Sequence, residues 1–181
     1  HNEAEIAAAN DTDPGNNQAS WDTLLPLPIQ QIQYTTAPGD GTYPSPLVGQ
    51  SVWTIGAVIA DEVTFGSPNI RILIQDPTGD GPWDGVLLYY SGASAPNVNV
   101  GDLLLVYGTV AEYGGVTEIA LTAANTTVLQ PGVAIVPTPI PTADLVSGEV
   151  AESYESVLIQ FSCASVTKVP AQYGEWGVTD A

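Results

Sequence analysis

Apolar and polar residues alternate in short runs through the middle of the chain, and glycine or proline closes each run. Val, Ile, Leu, Tyr and Trp dominate these runs, and a period of two predicts β-strands over 50–60, 69–75, 84–90, 102–111 and 116–121, with a further one near 126–130. Helical periodicity is nearly absent. Ala111-Glu112-Tyr113-Gly114-Gly115-Val116 reads as a hairpin turn, because paired glycines supply the positive φ angles such turns need. A long first strand followed by short strands and tight turns predicts an all-β chain folded as a small closed barrel rather than a large sandwich.

The flanks differ from this middle. Residues 1–20 are polar and rich in Asn, Asp and Ala, whereas Trp21, Leu24, Leu25, Leu27, Ile29, Ile32 and Tyr34 concentrate apolar surface around Pro26 and Pro28. The two prolines predict an extended or edge-strand conformation, so residues 1–37 read as an arm that lies on something and could donate a strand. The barrel is expected over 38–136, followed by a Pro/Thr-rich linker over 137–149 containing Pro137-Thr138-Pro139-Ile140-Pro141. Asp144 to Glu155 reads as a short helix or turn.

Residues 150–181 repeat the opening of the middle unit and then stop. Ser51-Val52-Trp53-Thr54-Ile55-Gly56-Ala57-Val58 leads to Ile70-Arg71-Ile72-Leu73-Ile74-Gln75-Asp76, and Ser156-Val157-Leu158-Ile159-Gln160-Phe161-Ser162-Cys163 leads to Tyr173-Gly174-Glu175-Trp176-Gly177-Val178-Thr179-Asp180. A lone two-stranded hairpin is marginal in water, so Val157, Ile159, Phe161, Trp176 and Val178 are expected to face a partner. Either the sequence continues in a longer polypeptide or another molecule completes the fold.

Three runs carry a family resemblance: Ser45-Pro46-Leu47-Val48-Gly49-Gln50-Ser51-Val52, Ile74-Gln75-Asp76-Pro77-Thr78-Gly79-Asp80-Gly81, and Val100-Gly101-Asp102-Leu103-Leu104-Leu105-Val106-Tyr107-Gly108-Thr109-Val110. Over residues 29–136 the chain resembles the OB-fold domains of bacterial secreted nucleases and of large multidomain surface proteins. The resemblance implies an OB-type barrel that serves as an accessory module. It implies no activity, because in those proteins the chemistry sits in a separate domain.

Charge narrows the partners. Twenty acidic residues against Arg71 and Lys168 give a formal net charge of -18 over 181 residues. That field repels phosphate backbones, and the few cations cannot support counterion release, so nucleic acid is not a favoured partner. The same acidity also suits high-salt habitats or a soluble exported surface. No apolar window is long enough to span a membrane. A start at His1, the absence of Met, and acceptor patterns at Asn10-Asp11-Thr12 and Asn125-Thr126-Thr127 fit an exported, extracellular or cell-surface chain. Cys163 is the single cysteine and is expected to be a small buried hydrophobe, with an intermolecular bridge as the alternative.

Candidate chemistry centres on Asp76, Asp80 and Asp84, three carboxylates in one turn between predicted strands. Calcium is the candidate ligand, because it takes six to eight oxygens and the glycines let carbonyls turn inward. An Asp-Pro-Gly turn whose carboxylates cap backbone N–H groups explains the same residues. Asp11, Asp13 and Asp22 form a weaker cluster in the arm. His1 is the sole histidine, so no Ser-His-Asp, Cys-His or ordinary zinc arrangement is expected. Trp53, Trp83, Tyr89, Tyr90, Tyr107 and Tyr113 would either fill the barrel or form a stacking platform, Trp83 and Tyr113 being the ones expected to be exposed. The sequence therefore leads to a non-catalytic structural subunit that polymerises by strand exchange into a homo-oligomer or filament. The alternative is an accessory module that binds glycan or nucleic acid.

Overall fold

The computed structural model describes residues 2–5, 18–21, 25–63, 69–79, 81–92, 95–146, 148–168 and 177–179, with the backbone alone described for 2–5, 18–21 and 62–63. β1 (Asn2–Glu5) and β2 (Gln18–Trp21) pair antiparallel as a separate two-stranded sheet. A short helix, α1 (Ile29–Gln33), follows. Next comes β3 (Ser51–Val63), whose first half pairs with β6 (Leu103–Tyr113) and whose second half pairs with β4 (Ile70–Gln75). Register shifts between Val58 and Ala60 and between Ala60 and Val63 mark the changeover, where bulges let one strand bend around a tight ring.

β4 turns back into β5 (Gly85–Tyr90), which lies parallel to β7 (Val116–Leu121) from Leu87↔Glu118 to Tyr90↔Leu121. β6 and β7 form the hairpin expected at Gly114-Gly115, whose φ angles are 65° and 84°. The ring therefore closes in the order β3-β4-β5-β7-β6-β3, a five-stranded OB-type barrel. β8 (Thr126–Gln130) pairs with Leu103 to Val106 of β6, the half of that strand that β7 leaves. All six predicted strands are present.

Inward alternation explains the core. Ile72 and Ile74 of β4, Val86, Leu88 and Tyr90 of β5, Leu104, Val106 and Val110 of β6, and Ile119 and Leu121 of β7 fill the ring with Val52 and Val58 of β3. Three further core residues come from outside it, Val98 from the segment between β5 and β6 and two from α1. Ile29 and Ile32 of α1, spaced to share one helix face, are both 0% exposed and belong to this same cluster.

That helix corrects the extended arm. Pro28 sits immediately before the first helical residue, where its missing N–H costs nothing and its fixed φ is compatible with helix entry. Leu27 is bridged to Thr54: its N–H donates to the Trp53 carbonyl at 2.7 Å, and Thr54 Oγ1 donates to the Leu27 carbonyl at 2.7 Å. A side chain at Gly56 would place its Cβ 2.9 Å from Ile29 Cδ1, so the bare backbone there makes room for the helix. The packed barrel thus begins upstream of residue 38, and Leu27, Ile29 and Ile32 face their own barrel rather than a neighbour.

Beyond β8, β9 (Thr138–Pro139) pairs parallel with β10 (Ile159–Gln160). The non-proline members of Pro137-Thr138-Pro139-Ile140 supply the donors: Thr138 N–H to the Leu158 carbonyl and Ile140 N–H to the Gln160 carbonyl. A 3₁₀ turn (Thr142–Val146) and α2 (Gly148–Ser153) match the short helix expected between Asp144 and Glu155. The repeat at 156–163 does not become a second long strand. Ser156 and Cys163 have φ of 58° and 59°, which breaks the run at both ends, and only Ile159–Gln160 is extended in a ladder. Cys163 is exposed rather than buried. β11 (Ser165–Lys168) and β12 (Gly177–Thr179) then form another separate two-stranded antiparallel sheet.

Truncating the plug tests this packing. Ile32→Ala should destabilise the barrel by about 2–5 kcal/mol, as for other large-to-small changes in closed cores. Urea unfolding of dilute protein measures it, and a change of a few tenths would mean that α1 is not part of the core.

Candidate functional site

The acidic turn between β4 and β5 is held by its own carboxylates. Asp76 Oδ1 accepts the Thr78 N–H at 2.8 Å and the Thr78 hydroxyl at 2.7 Å, forming an Asx turn. Asp84 is buried, and its Oδ2 accepts the Gly81 N–H at 3.1 Å. The backbone closes the loop beneath them, Asp76 N–H donating to the Asp84 carbonyl and Gly79 N–H to the Asp76 carbonyl. Asp80 lies outside the described residues, as do Asp11, Asp13 and Asp22. Among the described residues no three His, Cys, Asp or Glu side chains are grouped to hold a metal ion.

Residues 153–158 dock beside this turn. Trp83, with φ of 70°, donates its N–H to the Ser153 carbonyl at 2.5 Å. The residue is 8% exposed and its ring packs edge-on against Tyr34 at 5.7 Å, so Trp83 is buried rather than exposed as expected. Gly85 passes directly under the Ser156 carbonyl, where a Cβ would collide with backbone. Leu158 N–H donates to Gln75 Oε1 at 2.8 Å, and Gln33 Nε2 donates to the Gly85 carbonyl at 2.7 Å. Val157 is buried, with 8% of its surface exposed, against its own barrel rather than a partner.

This docking gathers carboxyl groups that the sequence does not bring together. Glu155 Oε1 accepts the Thr117 N–H at 3.0 Å, and the Thr117 hydroxyl donates to Glu112 Oε2 at 2.9 Å. Glu112 Oε1 is buried and has no hydrogen-bond partner among the described residues. Burial, followed by the charge of Glu152, pushes Glu155 up to about 8. Burial and Glu112 push Glu152 up to about 7. Burial also raises Glu118, although Arg71 draws it back. Glu152 and Glu155 can hold protons at neutral pH, which ordinary surface carboxylates cannot. The one local signal was Glu118 inside the apolar run Val116-Thr117-Glu118-Ile119. Glu112, Glu152 and Glu155 carried none, because their proximity depends on long-range docking.

Between the barrel wall and this segment lies an apolar cavity of about 460 Å³, walled by residues that include Leu73, Leu87, Val116, Val157 and Leu158, with Arg71 and Glu155 at its lining. The other expected interface residues separate. Ile159 and Phe161 are half-buried, and Val178 is 37% exposed. Leu25 and Tyr34 are exposed. Trp21 ends β2, while Leu24 and Trp176 lie outside the described residues. On the barrel wall Trp53 and Tyr107 face each other across β3 and β6, with centroids 4.9 Å apart and both half-buried, and Tyr113 is exposed as expected. Tyr90 is inside the barrel.

No protein-family model and no curated relative matches the chain. Among solved structures it is similar to "OBody AM1L10 bound to hen egg-white lysozyme", with 17% identity, 46% of this chain and 82% of that chain covered, and a TM-score of 0.37. The barrel assignment stands on the strand ladders themselves. No helix among the described residues is long and apolar enough to cross a membrane.

Gly85→Ala should dislodge residues 153–158, because the new Cβ meets backbone that cannot swing away as a side chain could. Faster proteolytic cleavage near Ser156, with stability lowered by about 1–3 kcal/mol, is the expected result. Unchanged cleavage and melting would show that the close approach is not part of the native fold.

Proposed function

We propose that this chain is an exported, non-catalytic structural subunit that self-assembles by β-strand addition. The observation that carries the reading is the β11–β12 sheet. It has two strands, every residue of β11 is exposed, Val166 is 55% exposed, and among the described residues no third strand joins the sheet. The edge of a small sheet can serve as a template for another strand. The same holds for the β1–β2 sheet. Because Leu27, Ile29, Ile32 and Gln33 are engaged with their own barrel, the donor role passes to β2, which ends at Trp21, and to Leu24 and Leu25 after it.

Joining a donor at one end to an acceptor at the other makes the contact heterologous, and repetition gives an open filament. Packing chains of -18 net charge raises repulsion that salt screens only beyond about 10 Å. Calcium at the contacts would relieve it, with Asp76, Asp80 and Asp84 as the candidate ligands on each subunit. The resemblance to accessory units of secreted nucleases and surface proteins supports an extracellular location.

Size exclusion and electron microscopy of the full chain, with calcium and with a chelator, test this reading. Filaments with calcium, fewer or shorter ones with chelator, and none for Val166→Asp/Val178→Asp are expected. A monomer at every concentration and calcium level would overturn it.

A second reading, an accessory glycan-binding module, draws on the Trp53–Tyr107 pair, since two adjacent half-buried rings can stack on a sugar face. It predicts a change of Trp fluorescence on polysaccharide titration that Trp53→Ala abolishes.

A further inference from the structure

The seam between the barrel and residues 148–158 joins two acidic surfaces, yet it is closed. A backbone bond spans it at Trp83–Ser153, the Thr117 N–H donates to Glu155 Oε1, and Gln75 Oε1 accepts the Leu158 N–H. Around these contacts stand Glu112 from β6, Glu118 from β7, and Glu152 and Glu155 from the docked segment. Arg71 of β4 lines the same cavity as Glu155, but its field acts on Glu118. α1 contributes the neutral amide of Gln33. Asp84, on the turn packed against Ser153, has its carboxylate directed at the Gly81 N–H, and Glu149 on α2 is exposed.

We infer that this seam is a proton-controlled latch, closed while Glu152 and Glu155 hold protons and opened when they ionise. The geometry makes full ionisation costly, because Thr117 ties Glu155 to Glu112 through two hydrogen bonds. Fully ionised, the seam would confine several like charges in a partly buried space where Glu112 Oε1 already lacks a partner. Opening gives each carboxylate water. It also uncovers the cavity wall formed by Leu73, Leu87 and Val116, which Val157 and Leu158 cover in the closed form.

The direction follows from linkage. Glu152 and Glu155 titrate near 7 and 8 when the seam is closed and near the ordinary 4.5 when it is open. Between those values the closed form binds more protons, so rising pH favours opening. Closure is fully favoured below about 4.5 and is lost as pH climbs through 7 and 8. This is the reverse of acid denaturation.

Hydrogen exchange of the full chain, corrected for intrinsic rates, reads the latch at the Thr117 and Leu158 amides. Ile74 and Leu88 in the barrel ladders serve as the global reference. From pH 6 to 9 the opening constant at the seam should rise at least about tenfold, while the ladder amides hold. Glu152→Gln/Glu155→Gln keeps the amide oxygens as acceptors and removes the titrating groups, so the seam should stay protected at both values. A flat profile in the native chain, or an unchanged rise in the double variant, would overturn the latch. A simultaneous loss of ladder protection would overturn it as well, because it would mean that the barrel unfolds as a whole.

Discussion

A closed ring of five strands must be filled from within, and here part of the filling comes from residues that do not belong to the ring. Ile29 and Ile32 enter from the short helix before β3 and reach 0% exposure among the inward side chains. Burying two isoleucines removes about 3–6 kcal/mol worth of apolar surface from water. That gain ties the N-terminal segment to its own barrel, a tie reinforced by the Leu27 bridge to β3 and the Gln33 bond to Gly85. Since Tyr34, the residue that ends α1, packs against Trp83, the helix also shapes the surface on which residues 153–158 dock.

The strands were legible because alternation is local: inward and outward positions follow one another within each run. The helix was not. Five residues show too little of a 3.6-residue period to register, and Pro28, read as a breaker, precedes the helix as its N-cap and so interrupts none of its hydrogen bonds. The second copy misled for a related reason. Ser156-Val157 has the composition of Ser51-Val52, but the left-handed backbone at Ser156 and the contact with Gly85 direct Val157 into the barrel's side. Asp76 and Asp84 were legible as turn residues, and their bonds to Thr78 and Gly81 are of the capping kind. The cluster of Glu112, Glu152 and Glu155 was invisible because it joins segments that are remote along the chain.

Electrostatics divides the molecule into two regimes. Asp40, Asp61 and Glu149 are solvated, and there screening limits the reach of their charge. At the seam, burial makes the same chemistry costly, and protons replace counterions as the means of neutralising it. The proposed assembly and the seam draw on different parts of the chain: the assembly on the two-stranded sheets β1–β2 and β11–β12, the seam on 148–158, which covers an apolar wall.

The most direct test is the pattern of amide protection in the dilute monomer. If the barrel is self-contained through its α1 plug while the small sheets await partners, Leu27, Ile74, Leu88 and Val106 should exchange only on global unfolding. Val166 and Val178 should exchange at close to open-chain rates. Barrel-like protection at Val166 and Val178 in the monomer, or rapid exchange at Leu27, would contradict the account.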